Sequence, residues 1–458
     1  MGVTMKSMTA GIRRRRSRGA FAVAVAVAAT LAACADWLEV TNPGAIENPA
    51  LEDPAYLQLM YDGVIGDFQP AYAWTALFGA GFADELRIHH AFGENQEIDQ
   101  RRITENNATY ALAVFNGLHR ARFLADSVAG RYRNLLGDTV ANDLRYAKIL
   151  GFAGYTWVLL AENLCETRIN AQGAPLRPDE LFAAALQRFE AAMAAAQVAR
   201  EAAEKSEDAA LRAQTVAGAD SALNMARVGA ARAALGLGDA QGAITYARAV
   251  TPPYVSREDQ GFRFDVHYRE GSSSADTRRH GNPFWEFMGG GEPSWFSISG
   301  TGFEDLNDPR VPHGLPRTVS GGGQFIVPNS PPSFSTHDGT IEGAPFAATS
   351  SIRLASAIEA RYIIAEAEGN TPQNVAFLNE QRAVGGQPPL ESPAEAEYFA
   401  ALREQRAREF FLDGHRVGDL RRYEAQHGVD LWPSGPMYGG TVTFGDQKCF
   451  PTPVSELF

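Results

Sequence analysis

Arg406-Ala407-Arg408-Glu409-Phe410-Phe411-Leu412-Asp413-Gly414-His415-Arg416-Val417-Gly418-Asp419-Leu420-Arg421-Arg422 is the densest constellation of charged and aromatic residues in the chain. Arg408 and Glu409 fall at a predicted helix end. Gly414 is a natural exit from that helix, because glycine adopts left-handed backbone without a Cβ clash. Asp413, Arg416 and Asp419 then alternate in sign around the turn. Such a pattern can clamp an anion or substrate, or it can lock a helix–turn–helix corner over Phe410, Phe411 and Leu420. Charges of both signs balance locally and no nucleophile accompanies them, which favours the structural lock.

Working outward, helical spacing dominates from residue 51 to about 250. Thr104–Arg131 carries Ala, Leu and Phe at helical intervals, and Asp138–Leu164 places Gly151, Ala153 and Gly154 where a neighbouring helix can approach closely. Pro178-Asp179-Glu180 is a helix-start signature for Pro178–Arg200. Ser221–Leu237 sets Leu223, Ala226, Ala230, Ala233 and Leu237 on one face, and Gly238-Asp239 leads into Ala240–Val250. Paired antiparallel helices of tetratricopeptide size fit these lengths and Ala-rich faces. Residues 251–350 change to Pro, Gly, Ser and Asn, with Gly289–Gly291 and Gly321–Gly323 as triplets. Their Phe284, Trp285, Phe287, Trp295 and Phe296 mark a loop-rich excursion folded on the helical body, with room for short strands, and not a linker. Helices are predicted again at Ser351–Gly369, Pro372–Val384 and Pro393–Leu412, and an irregular segment from His427 onward.

The N-terminus reads as an export signal. Arg13–Arg16 and Arg18 precede the apolar run Gly19–Ala33, which is shorter than the about 20 residues of a comfortable membrane span. It ends in Leu31-Ala32-Ala33-Cys34, a lipobox, so Cys34 is the expected lipid-attachment residue, residues 1–33 the leader and 34–50 a lipidated tether. Removing residues 1–33 takes away six basic and no acidic residues, leaving 35 Lys+Arg against 54 Asp+Glu and a net charge of −19. That balance argues against nucleic acid, which needs a basic face. Cys165 and Cys449 are far apart in sequence, and pairing or two free thiols both remain open.

No HExxH, GxSxG, P-loop or Rossmann fingerprint is present, so neither an enzyme nor a cofactor is expected. His89-His90 beside Asp84-Glu85 lacks a third ligand and reads as surface or packing, and Asp305-Asn307-Asp308 lacks the glycine and glutamate of a calcium loop and reads as a turn. No metal site is expected.

The Arg406–Arg422 stretch resembles the C-terminal signature of the SusD/RagB family of nutrient-uptake outer-membrane lipoproteins. There an Arg-Glu helix end, an aromatic or aliphatic residue, an acid, Gly and Arg run into Asp-Leu-Arg-Arg. Leu378-Asn379-Glu380-Gln381-Arg382-Ala383 is similar to the family's Leu-Asn-x-x-Arg-Ala element, and Cys449-Phe450-Pro451-Thr452-Pro453 with Glu456 to its closing element. Cys34-Ala35-Asp36-Trp37-Leu38-Glu39-Val40 resembles its lipidated start. Gln405 stands where an acid is common, Asp413 replaces the usual Glu, and the short Ser351–Gly369 region points to a trimmed helix pair.

The resemblance implies a mostly α fold: tetratricopeptide-like pairs in one domain over 51–458, helical at 51–250 and 351–425, with the excursion 251–350 between. It implies a lipid-anchored outer-membrane protein, facing outward, that captures oligosaccharide or peptide for a SusC-like TonB-dependent transporter and catalyses nothing. A sugar binder needs aromatic platforms with polar neighbours, and Tyr72, Trp74, Trp285 and Trp295 are the candidates; Trp37 and Trp157 read as structural. The alternatives are a helical scaffold binding another envelope protein and, less favoured, a surface glycoside hydrolase.

Overall fold

The computed structural model describes residues 48–169, 173–289, 293–335 and 343–454. The expected leader 1–33, Cys34, Trp37, most of the expected tether 34–50 and Glu456 lie outside the described residues. Asn48–Glu52 forms a short 3-10 helix. The remainder, from Ala55 onward, is a second unit with its own core.

Its first helix, α1 (Leu57–Phe82), accommodates Pro70 and buries nearly all of its second half. A short α2 (Gly93–Asp99) and a π turn over Ala111–Phe115 lead into α3 (Asn116–Leu136), which Gly137 ends at φ 54°. Four further helices follow: α4 (Leu144–Asn163), α5 (Pro178–Glu204), α6 (Ala209–Gly236) and α7 (Ala240–Arg248). Local chemistry sets their starts. Asp143, Asp208 and Asp239 each accept hydrogen bonds from first-turn amides, and Pro178 opens α5 with Glu180 reaching back to the Arg177 amide.

Small residues then let the helices approach closely. The buried Phe189 ring of α5 lies between Gly154 of α4 and Gly229 of α6, where a Cβ would come within 2.6 Å and 2.2 Å of it. These helices pack in sequence order, α3 on α4, α4 on α5 and α5 on α6, so helix pairs of the tetratricopeptide kind form the bulk of the fold.

The excursion holds more regular structure than its composition declares. It contains β2 (Arg263–Val266), α8 (Ser274–His280), a π turn at Trp285–Gly289, β3 (Phe296–Ser297), the hairpin β4 (His313–Thr318) and β5 (Gln324–Pro328), and β6 (Phe334–Ser335). β3 pairs antiparallel with β1 (Arg87–Ile88), from the link between α1 and α2.

One predicted helix is corrected. Ser351–Ser356 is a strand, β7, and only Ala357–Glu368 is helical, as α9. All six β7 residues are buried, and β7 lies between β2 and β6. Ser-Ile-Arg-Leu-Ala-Ser fits a helical face as well as a strand, and backbone pairing on both sides decided it. α10 (Pro372–Val384) and α11 (Glu395–Glu409) join α9 around a second core of Ile358, Tyr362, Phe377, Leu378, Tyr398, Leu402 and Phe410. A last helix, α12 (Arg416–His427), forms the second arm of the expected helix–turn–helix corner.

Cys165 and Cys449 form a disulfide. Phe450 hydrogen-bonds back to the end of α4 and is fully buried against Phe82 and Tyr110. Among the described residues no helix is long and apolar enough to cross a membrane, and no cluster of His, Cys, Asp and Glu could hold a metal ion.

Candidate functional site

The charged corner is built first from its turn. α11 ends at Glu409, Leu412 takes φ 65° and Gly414 φ 85°. A leucine in the left-handed region carries strain. It is held by its own burial and by its amide donating to Glu85 Oε1 at 2.9 Å.

Around that turn every charge has a partner. Glu409 takes Arg353 at 2.9 Å and Arg257 at 2.7 Å, Asp419 takes Arg406 and Arg422, and Arg416 forms two 2.6 Å bonds to Asp84. Arg408 pairs with Asp308 at 3.1 Å and with Glu404. Asp413 Oδ1 lies 2.6 Å from His415 Nδ1, and Gln405 accepts from Arg310. Burial works to raise the Glu409 pKa, but Arg353, Arg257 and Arg310 together outweigh it and hold it below the usual value. The opposite holds at Asp413, where burial wins over its arginines and raises the pKa. Nearly all these groups are buried and ion-paired, although Arg353 Nε, Arg406 Nη1, Arg408 Nε, Arg310 Nη1 and Glu85 Oε2 keep no hydrogen-bond partner among the described residues; burial leaves them closed to a ligand.

The four candidate aromatics are separated by the fold. Tyr72 is fully buried, and its one hydroxyl proton faces two acceptors, the Arg353 and Asp413 carbonyls at 2.7 and 2.8 Å. It props the charged corner from below and offers no face to a ligand. Trp285 is half-buried and makes no ring contact with the others. Trp74 and Trp295 do come together, through Phe287.

That junction is part of a graded aromatic series. Trp74 stacks on Phe78 at 5.6 Å and meets Phe287 at 5.5 Å, and Phe287 meets Trp295 at 4.4 Å. The Trp295 ring stacks on His90 with centroids 3.6 Å apart, and His90 meets the edge of Phe92, which is 65% exposed. The series thus runs from the buried core to open solvent as a shelf. His90 and Phe92 were missed by sequence reading, although aromatic residues crowded into His89-His90-Ala91-Phe92-Gly93 were the available signal.

Backbone pairing sets the shelf. The His89 amide donates to the Trp295 carbonyl at 2.7 Å, continuing the β1–β3 ladder, and the β4–β5 hairpin joins through Ser294 and Thr318. Gly321, Gly322 and Gly323 at the hairpin tip all have positive φ. Polar groups brace the two histidines from within: the buried Asn95 meets His90 Nδ1 at 2.9 Å, Gln96 donates to the His90 carbonyl, and His89 meets the buried Ser297 Oγ at 2.7 Å. Burial, with Arg87 adding to it, pushes His89 down to about 4, and burial lowers His90 as well. Both rings are therefore neutral at neutral pH. Flat apolar faces beside uncharged donors and acceptors are the chemistry that binds polyhydroxylated rings.

No family model matches the sequence, and no curated protein matches it. Solved structures do share its fold. The chain is similar to surface glycan-binding protein A from Bacteroides thetaiotaomicron, solved in complex with laminarihexaose, at 14% identity over 88% of this chain and 97% of that one, with a TM-score of 0.62. Surface glycan-binding protein A from Bacteroides uniformis gives 13%, 88%, 97% and 0.61. A SusD superfamily protein from Bacteroides fragilis gives 12%, 88%, 97% and 0.59. The chain therefore has the SusD-like fold.

Proposed function

We propose that this chain is a SusD/RagB-type lipoprotein that captures oligosaccharide at the Trp295–His90–Phe92 shelf and hands it to a SusC-like TonB-dependent outer-membrane transporter. The carrying observation is the 3.6 Å stack of His90 on Trp295, extended to the exposed Phe92. The likeness to two surface glycan-binding proteins supports a glycan over a peptide as the cargo. Lipidation at Cys34 rests on the lipobox, and the outer-membrane address on the SusD/RagB-like C-terminal signature. A non-catalytic role rests on the lack of any catalytic motif together with that likeness.

Calorimetry with a panel of oligosaccharides, laminarihexaose among them, and of short peptides tests the shelf. Trp295→Ala and Phe92→Ala are expected to weaken glycan binding by about two- to tenfold, since ring stacking supplies about 0.5–1.5 kcal/mol. Phe92 is exposed enough that its removal leaves the fold intact. Unchanged affinity in both variants, or no glycan binding at all, overturns the reading. Purification from native membranes tests the partner: recovery of a large β-barrel protein is expected, and repeated recovery of another envelope protein in its place would favour the scaffold alternative. Mass spectrometry of the mature N-terminus tests Cys34.

A further inference from the structure

A separate cavity of about 410 Å³ opens where α1, α4 and α6 meet β2. Ile65 and Phe264 give it an apolar wall, backed by Phe68 and Phe152, whose rings lie 4.9 Å apart. Three polar side chains reach its lining from three different helices: Tyr61, Lys148 and Ser221. None of the three side chains has a hydrogen bond or ion pair within the described residues.

The other polar groups there are committed. Arg263 and Asp265 bond each other at 2.8 Å, Arg263 also reaches the Pro332 carbonyl, and Gln69 donates to the His267 carbonyl. Lys148 is thus a half-buried ammonium without a counter-ion, and burial alone lowers its pKa, with no nearby acid to offset it. In a chain of net charge −13, a cavity whose uncompensated charge is positive runs against the surrounding field. An unpaired, partly desolvated ammonium is costly, and an anion binding beside it would relieve that cost.

We propose that this cavity binds a small organic carboxylate bearing a ring. The carboxylate takes Lys148 as its cation, Tyr61 and Ser221 supply neutral hydroxyl donors, and the ring lies on the Ile65–Phe264 wall. A volume of about 410 Å³ admits a one- or two-ring molecule. A uronic acid and an aromatic acid share this chemistry. The site is distinct from the Trp295 shelf and does not depend on what that shelf binds.

Calorimetry of the purified chain with glucuronate and with benzoate, against glucose and benzyl alcohol as neutral counterparts, tests the proposal. At least one carboxylate is expected to bind more tightly than its neutral counterpart; the one that binds identifies the source as an acidic sugar or an aromatic acid. Lys148→Met keeps the side-chain bulk and is expected to weaken carboxylate binding by about tenfold or more, the value of a charge-assisted hydrogen bond. Neutral ligands and the Trp295 shelf should be unaffected. Wild-type affinity should also fall as pH rises through the lowered lysine pKa, and Lys148→Met should show no such fall. Failure of both carboxylates at millimolar concentration, equal binding of the neutral counterparts, or unchanged carboxylate affinity in Lys148→Met overturns the proposal.

Discussion

Tyr72 and Trp295 are both aromatic residues in polar-flanked positions, yet the fold gives them opposite duties. Tyr72 sits at 0% exposure, its hydroxyl satisfied by two main-chain carbonyls, while Trp295 keeps part of its ring at the surface against His90. Nothing local distinguishes them, because exposure is decided by whichever segment packs over the ring. Asp99 illustrates the same point for charge. Buried beneath β1, it is pushed up to about 7 by desolvation, although it accepts from the Ile88 amide and the Tyr438 hydroxyl. An unfolded chain ionises it near its ordinary value of 3.8, while the folded chain holds the proton until about 7. Between those values the unfolded state binds fewer protons, so stability falls as pH rises, by about 1.4 kcal/mol per unit at most. Asp99→Asn keeps the Oδ1 acceptor and removes the titration. Urea unfolding at about pH 5 and pH 8 should show a smaller loss of stability in Asp99→Asn than in the wild type; parallel losses would sink the assignment. At the charged corner, Arg353→Leu removes the cation that Glu409 and Asp413 share, leaving Glu409 only Arg257 and Asp413 only His415, and should cost about 3–5 kcal/mol in the same assay.

Among the elements, the helices were legible and the strands were not. Helix starts are local chemistry, an Asp, Ser or Thr cap or a first-turn proline, so α5, α7 and α10 begin within reach of their sequence signals, whereas α6 begins at Ala209 behind its Asp208 cap, well before the expected Ser221. β1, β3 and β6 are two residues each and exist only because a distant partner pairs with them. β7 reads equally well as helix until β2 and β6 flank it. The glycines of α4 and α6 carry a sharper consequence. Gly229→Ala places a methyl 2.2 Å from the Phe189 ring, which is fully buried and also hemmed in by Gly154. Overpacking of this kind should destabilise by about 1–3 kcal/mol despite the helix propensity that alanine gains. A thermal midpoint equal to or above the wild type would show that the helices can part without cost.

For the whole molecule, the C-terminal segment folds back onto the first helices. The Cys165–Cys449 disulfide spans 284 residues, and Phe450 seals between Phe82 and Tyr110. Replacing both cysteines with serine frees that segment in the unfolded chain and should lower stability by about 2–5 kcal/mol; an unchanged midpoint, or one insensitive to reductant in the wild type, would contradict it. The sequence by itself determined the helical pairs, the glycine-mediated contacts, most of the caps and the charged C-terminal signature, because each is written in residues close together along the chain. Tertiary structure alone decided that Cys165 meets Cys449, that Tyr72 is interior, and that Trp74, Phe287, Trp295, His90 and Phe92 form one shelf. It alone left Lys148 facing a cavity without a counter-ion. Those outcomes depend on contacts between residues tens to hundreds of positions apart, whose meeting follows from how helices and short strands pack and not from any local preference.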